Sequence, residues 1–233
     1  LEALNGHRVV IKGYFDGLAA PVIKVLAAEI QDNGVAKDIY FFEDFEWLDP
    51  WSVVGGAGKT VETDDLSATA PQLPTPKVDG VSALDALLAK GYEFLRVTTK
   101  TPGECIYLQQ NYLKFGKTSY QAGIILPKLT VDVPASATPV MSFDWCPMRQ
   151  GSGTIDPVNL IVIIKNGTNE VTFDIPVAGF ESGHRLEWIR AEVELTGVEL
   201  TKETQITIRQ TNWQVATANR YFLDNIEISS RIM

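Results

Sequence analysis

Met141, Phe143 and Trp145 alternate with Ser142 and Asp144, and Ile189, Ala191, Val193 and Leu195 alternate with Arg190, Glu192 and Glu194. A period of two places successive side chains on opposite faces of an extended strand, so each segment has a dry face and a wet one. Short runs of this kind recur along the chain, separated by Gly, Pro, Asn and Asp: His7–Tyr14, Ile39–Glu46, Glu93–Val97, Cys105–Leu108, Pro139–Trp145, Leu160–Lys165, Val171–Ile175, Leu186–Leu195, Thr204–Arg209 and Tyr221–Ile228. Many short strands at close intervals define an all-β sandwich or barrel. The run Leu160-Ile161-Val162-Ile163-Ile164 is apolar at every position and is expected to lie centrally, covered on both faces. Asn166-Gly167 then separates it from Val171–Ile175, the strongest hairpin signal in the chain.

One short helix is expected over Ala83–Lys90. Ser82 caps it, Asp85 sits three residues later as in a capping box, and Gly91 stops it. At about two turns it is an accessory to the sheets. Thr63–Gly80, with Pro71, Pro74 and Pro76 among polar residues, reads as a long surface loop. Residues 1–36 have strand composition ahead of the first strand of the sandwich. We therefore divide the chain into an N-terminal β extension, 1–36, which a preceding module could also have left behind, and a sandwich, 37–233.

With 45% hydrophobic and 21% charged residues, the 233-residue chain has apolar material for a full core. Its net charge of -9 opposes binding to nucleic acid or to an anionic membrane surface. No apolar run reaches the roughly 18–20 residues that a membrane-spanning helix needs. The chain opens at Leu1 without Met or a leader, which reads as a mature chain with any export signal outside it. Cys105 and Cys146 are too few for a disulfide framework, and two buried thiols are expected, with one inter-strand bridge as the alternative.

The strands Ile39-Tyr40-Phe41-Phe42-Glu43-Asp44-Phe45-Glu46 and Tyr221-Phe222-Leu223-Asp224-Asn225-Ile226-Glu227-Ile228 carry a resemblance. A first strand and a last strand of this kind resemble the galactose-binding-domain-like jelly rolls, which include carbohydrate-binding modules of secreted or surface Bacteroidetes proteins. The resemblance covers residues 37–233. It implies a jelly-roll β-sandwich with one short accessory helix, a secreted, periplasmic or cell-surface location, and a glycan as partner. In similar domains the end strands often share a structural calcium, which here implies Glu43, Asp44, Asp224 and Asn225 as its ligands. The residues themselves give a reason to look there. Asp224 alternates in phase with Phe222, Ile226 and Ile228 and so faces inward, and one of Glu43 and Asp44 must do the same. A buried carboxylate is costly unless paired or coordinated. The alternative is that Asp224 and Asn225 simply bond backbone amides at the strand entry.

Sugar faces stack on flat rings while polar neighbours take the hydroxyls, so Trp47, Trp51, Trp188 and Trp213, each beside polar residues, are the ligand candidates. Capping of the core ends is the competing role for each. Tyr112 and Tyr120 are weaker candidates, and Trp145 is core. Asp44, Glu46, Asp49 and Asp144 could supply the paired carboxylates of a glycoside hydrolase, but spacing along the chain selects no pair. His7 and His184 have no nucleophile to serve, and Gly55–Thr60 lacks the glycine spacing of a phosphate loop. The expectation is a non-catalytic carbohydrate-binding or surface-recognition module. A glycoside-active enzyme and a module binding a protein partner are the alternatives.

Overall fold

A computed structural model describes residues 37–51, 77–96, 106–109, 112–116, 122–149, 160–175, 188–211 and 219–231, together with two strands at 9–15 and 23–30. The expectations for His7, Cys105, Tyr120, His184, Trp213, the Gly55–Thr60 run and most of the Pro-rich segment lie outside these residues.

Two antiparallel sheets pack face to face. The larger joins β13 (Ile189–Glu194), β10 (Val140–Arg149), β15 (Asn219–Arg231), β8 (Tyr112–Phe115) and β7 (Ile106–Gln109) in that order, and adds β3 (Lys37–Glu43) against β15. The smaller runs β12 (Asn169–Ile175), β11 (Leu160–Asn166), β14 (Gln205–Gln210), β9 (Ala122–Ile125) and β6 (Glu93–Arg96). The result is the all-β sandwich that the alternation predicts. The 13-residue β15 organises the larger sheet. One edge pairs with β10, while the other is shared end to end: Tyr221–Leu223 pair with β8 and Ile226–Arg231 with β3. A separate antiparallel pair, β1 (Val9–Phe15) and β2 (Ile23–Ile30), precedes the sandwich.

The inner faces are those of the alternating pattern. Met141, Phe143 and Trp145 from β10, Leu113 and Phe115 from β8, and Tyr221, Leu223, Ile226 and Ile228 from β15 meet Ile124, Leu160, Val162, Ile164, Ile206 and Ile208 of the smaller sheet. Phe115 stacks on Tyr221 at 4.8 Å between centroids, and the Tyr221 hydroxyl donates across to the carbonyl of Ala122 at 3.1 Å. As expected, β11 lies between two neighbours, though Ile163 is only half-buried. Gly167, at φ 60, turns the chain from Asn166 to Asn169 in a two-residue hairpin. Cys146 is a buried thiol.

The helix Ala83–Ala89 carries the complete predicted capping box. The Ser82 hydroxyl accepts from the Asp85 N–H, and the Asp85 carboxylate accepts from both the N–H and the hydroxyl of Ser82. Gly91, at φ 91, ends it. Ser82→Ala should cost about 1 kcal/mol in chemical denaturation, and a loss below a few tenths would mean the cap is dispensable.

Four details depart from the sequence reading. Two strands, β8 and β9, lie where none was expected. The Gly123 position in β9 admits no side chain, because a Cβ there would come within 2.8 Å of the Arg209 Cβ and 2.9 Å of the Ile208 carbonyl. The end of the predicted Thr63–Gly80 loop is a tight hairpin, β4 (Lys77–Val78) and β5 (Val81–Ser82), turned by Asp79 at φ 49 and Gly80 at φ 85. The first sandwich strand stops at Glu43, and Glu46–Trp51 forms a 3-10 helix. Finally, Asp224 does not point into the sandwich. Asn225 adopts φ 48 and the pairing with β10 slips between Ser142 and Asp144, so one extra residue separates Phe222 and Asp224 from Ile226 and Ile228. Asp224 and Phe222 therefore stand on the outer face of the larger sheet.

Candidate functional site

The outer face of the larger sheet holds the polar and aromatic side chains that the core does not use. Cross-strand register puts Asp144 of β10 opposite both Arg190 of β13 and Asp224 of β15, and puts Phe222 opposite both Cys146 and Lys114. Directly opposed residues in an antiparallel pair project to the same side. Trp188, immediately before β13, lies with its ring edge-on to Tyr112 at 5.3 Å and tilted against Phe222 at 6.2 Å. Tyr112 in turn meets Phe222 edge-to-face at 5.6 Å. Trp188 keeps 39% of its surface exposed while Tyr112 keeps 7%, so the indole is the accessible member of an anchored aromatic group.

Beside this group runs a hydrogen-bonded polar strip. Arg190 Nη1 donates to Asp144 Oδ1 at 3.1 Å and to the Asn225 carbonyl at 2.9 Å, while its Nη2 donates to the Ser142 hydroxyl at 2.7 Å. The Asn225 side-chain amide donates to Asp144 Oδ2 at 2.9 Å. The bulge that turns Asp224 outward thus also brings Asn225 onto Asp144. Burial, then the carboxylates of Asp144, Asp44 and Glu46, push the Asp224 carboxyl up to about 7. Its backbone bond from the Asn225 N–H, 2.8 Å, acts in the opposite direction. Burial likewise pushes the Tyr112 hydroxyl up, with smaller contributions from Cys146 and Asp224. That hydroxyl is buried without a hydrogen-bond partner.

Trp47 and Trp51 occupy a different place, on the 3-10 helix beyond β3. They contact each other edge-on at 6.3 Å and are half-buried against the core. Trp47 Nε1 donates to Glu43 Oε1 at 2.9 Å, with Lys90 Nζ 3.7 Å from its ring centroid, and Trp51 Nε1 donates to the Val81 carbonyl at 2.8 Å. Both indoles tie the 3-10 helix to neighbouring elements. The four tryptophans named from sequence are thus not one surface: Trp188 is on the outer face, Trp47 and Trp51 brace an end, and Trp213 lies outside the described residues. Tyr112 belongs with Trp188, although its own segment gives no strand pattern to reveal it.

The calcium expectation divides in the same way. Of Glu43 and Asp44, it is Glu43 that points inward. Its Oε1 accepts from the Phe45 N–H at 2.7 Å and from Trp47, and its Oε2 accepts from the Tyr92 hydroxyl at 2.5 Å. Both oxygens are therefore engaged by protein donors. Asp44 Oδ1 accepts from the Glu46 N–H at 3.1 Å, in an Asx-type turn that starts the 3-10 helix. Among the described residues no three His, Cys, Asp or Glu side chains converge as metal ligands would.

No protein-family model and no curated protein matches the sequence. Solved structures that resemble it include a family 16 carbohydrate-binding module, 14% identical over 59% of this chain and 86% of that one, at a TM-score of 0.32. Another is the K1 cleaved adhesin domain of Lys-gingipain from Porphyromonas gingivalis, 14% identical over 59% and 89%, at 0.35. A third, an arabinose-bound α-L-arabinofuranosidase, is 12% identical over 86% of this chain but only 27% of that one, at 0.41. Likenesses this distant say nothing of what the chain binds.

Proposed function

We propose that the chain is a non-catalytic glycan-binding module and that it binds on the outer face of the larger sheet. The observation that carries this reading is Trp188: a residue with 39% of its surface exposed, its ring edge-on to Tyr112, tilted against Phe222 and adjoining the Arg190–Asp144–Asn225 strip. A sugar needs an apolar plate for its C–H face and fixed donors and acceptors for its hydroxyls, and the two stand side by side here. Non-catalytic action accords with the strip itself. Asp144 is committed to Arg190 and Asn225 within the fold, which suits a carboxylate that positions hydroxyls. An exported or surface-attached setting, in the manner of the Bacteroidetes jelly rolls that the end strands resemble, goes with the same reading. Among the described residues no helix is long and apolar enough to cross a membrane. We place residues 1–36, which contain the β1–β2 pair, as an extension of this module.

A glycan array followed by calorimetry on the best ligand tests the proposal. Trp188→Ala should weaken binding by about 30-fold, the effect of a central aromatic anchor, with stability changed by no more than about 0.5 kcal/mol. Unaltered affinity in that variant would remove the site, and silence across the array would remove the function. Repeating the melting curve with EDTA addresses structural calcium separately: a lowered Tm is expected if an ion is held, and an identical curve eliminates it.

A further inference from the structure

The charge on the outer face is not balanced at Asp224. Asp144 and Asp224 stand directly opposite on neighbouring strands, an arrangement in which two carboxylates repel. Arg190 answers only one of them: its contacts go to Asp144, Ser142 and the Asn225 carbonyl. Asp224 receives one hydrogen bond, from the Asn225 N–H, and forms no ion pair among the described residues. Asp44 and Glu46, at the end of β3, add their negative charge. Lys114 and Arg220 lie farther along the same face, fully buried and with partners of their own.

A second observation marks the same spot. The Tyr112 hydroxyl is buried, has no hydrogen-bond partner, and feels the charge of Asp224, while its ring backs the exposed indole of Trp188. Burying a hydroxyl unpaired carries a cost that an incoming hydrogen-bonding group recovers. An unanswered carboxyl, aromatic rings and a waiting hydroxyl together suit a cation carried on a ring-shaped ligand.

We propose that the site takes a glycan containing an unacetylated amino sugar, with the ammonium against Asp224, the sugar ring on Trp188 and a sugar hydroxyl on Tyr112 Oη. This rests on the glycan-binding reading and narrows it. A neutral sugar would leave Asp224 without a counter-charge, and an acidic one would be repelled by it.

Calorimetry with three tetrasaccharides of the same linkage separates the cases: β-1,4-linked glucosamine, its fully N-acetylated form, and the glucose tetramer. The amino form should bind at least about tenfold tighter than either neutral form, the difference one counter-ion pair beside a ring contributes. Asp224→Asn should erase that preference to within about twofold. Tyr112→Phe should weaken the glucosamine tetramer by about fivefold, as loss of one hydrogen bond does, without lowering Tm. Equal binding of all three forms would overturn the amino-sugar assignment and leave the glycan reading standing. So would a preference for the amino form that survives Asp224→Asn, since the ammonium would then sit elsewhere. No binding by any of them, together with silence on the array, would overturn both.

Discussion

Glu43→Ala should destabilise the sandwich by about 3–5 kcal/mol, measured as a shift in denaturation midpoint at constant m-value. The carboxylate is 7% exposed and collects the Phe45 N–H, the Trp47 indole N–H and the Tyr92 hydroxyl. Each donor comes from a different kind of structure: a strand end, a 3-10 helix, and the residue that follows the helix turn at Gly91. Removing the acceptor leaves all three short of a partner, and an unmade buried bond costs more than a made one gains. The backbone adds to the effect. Phe45 holds φ 54, which a bulky residue adopts only when its surroundings compel it, and the bond from its N–H to Glu43 is one such constraint. Tyr92→Phe removes one bond and should cost about 1 kcal/mol. In a double-mutant cycle, Glu43 and Tyr92 should be coupled by more than about 0.5 kcal/mol. A Glu43→Ala cost below about 1 kcal/mol would show that the node is decorative. If the cost appears only with calcium present and vanishes in EDTA, Glu43 serves an ion in place of these donors.

The second large effect is a pH dependence. In the folded chain Asp224 holds its proton up to about 7, whereas an unfolded Asp releases it near 3.9. Between those values the native state binds a proton that the unfolded state has lost, so stability falls as pH rises through that window. The cost is absent below about pH 4 and complete above about pH 7. A rise of about 3 in pKa corresponds to about 4 kcal/mol, and screening by the solvent that still reaches this carboxyl reduces the expectation to about 1–2 kcal/mol. Asp224→Asn, which cannot ionise, should match the parent protein near pH 4 and exceed its stability by that amount at pH 8. Denaturation curves at the two pH values decide it. A difference that stays constant with pH would mean Asp224 ionises as an ordinary surface carboxylate.

Both predictions turn on carboxylates, and the sequence revealed them unequally. The crowding of Phe41, Phe42 and Phe45 around Glu43 and Asp44 already demands that one of the two face inward. That its partner would be Tyr92 is a matter of tertiary contact, invisible in spacing. For Asp224 the alternation misleads. Phe222, Asp224, Ile226 and Ile228 share a phase on paper, but the left-handed Asn225 inserts a residue into the ladder and turns the first two to the outside. Residues that settle their own local geometry were legible: the Ser82–Asp85 box, the Asn166-Gly167 turn, and the Trp188–Arg190 wet face. Asp79-Gly80 carries the same kind of turn signal, hidden by the Pro-rich stretch before it. Strand β8 was not legible, because Tyr-Leu-Lys-Phe has no dry and wet alternation when both faces are buried, Lys114 included. With β8 went Tyr112, and so one of the three rings of the aromatic group on which the proposed site depends.

The placement of β15 bears on how the molecule comes into being. It is the last described strand to leave the ribosome, yet β10, β8 and β3 all take their hydrogen bonds from it. Until it emerges, the larger sheet consists of pieces that do not touch one another through the backbone, with their apolar faces open. Closure therefore waits for synthesis to pass Arg231 and joins partners far apart along the chain, the circumstance in which β proteins fold slowly and are most exposed to aggregation. The outer face that we assign to the ligand, built on β8, β10, β13 and β15, comes into existence when β15 pairs. A nascent chain lacking β15 would present neither Asp224 nor the Phe222 ring against Trp188, so binding competence reports the pairing of β15.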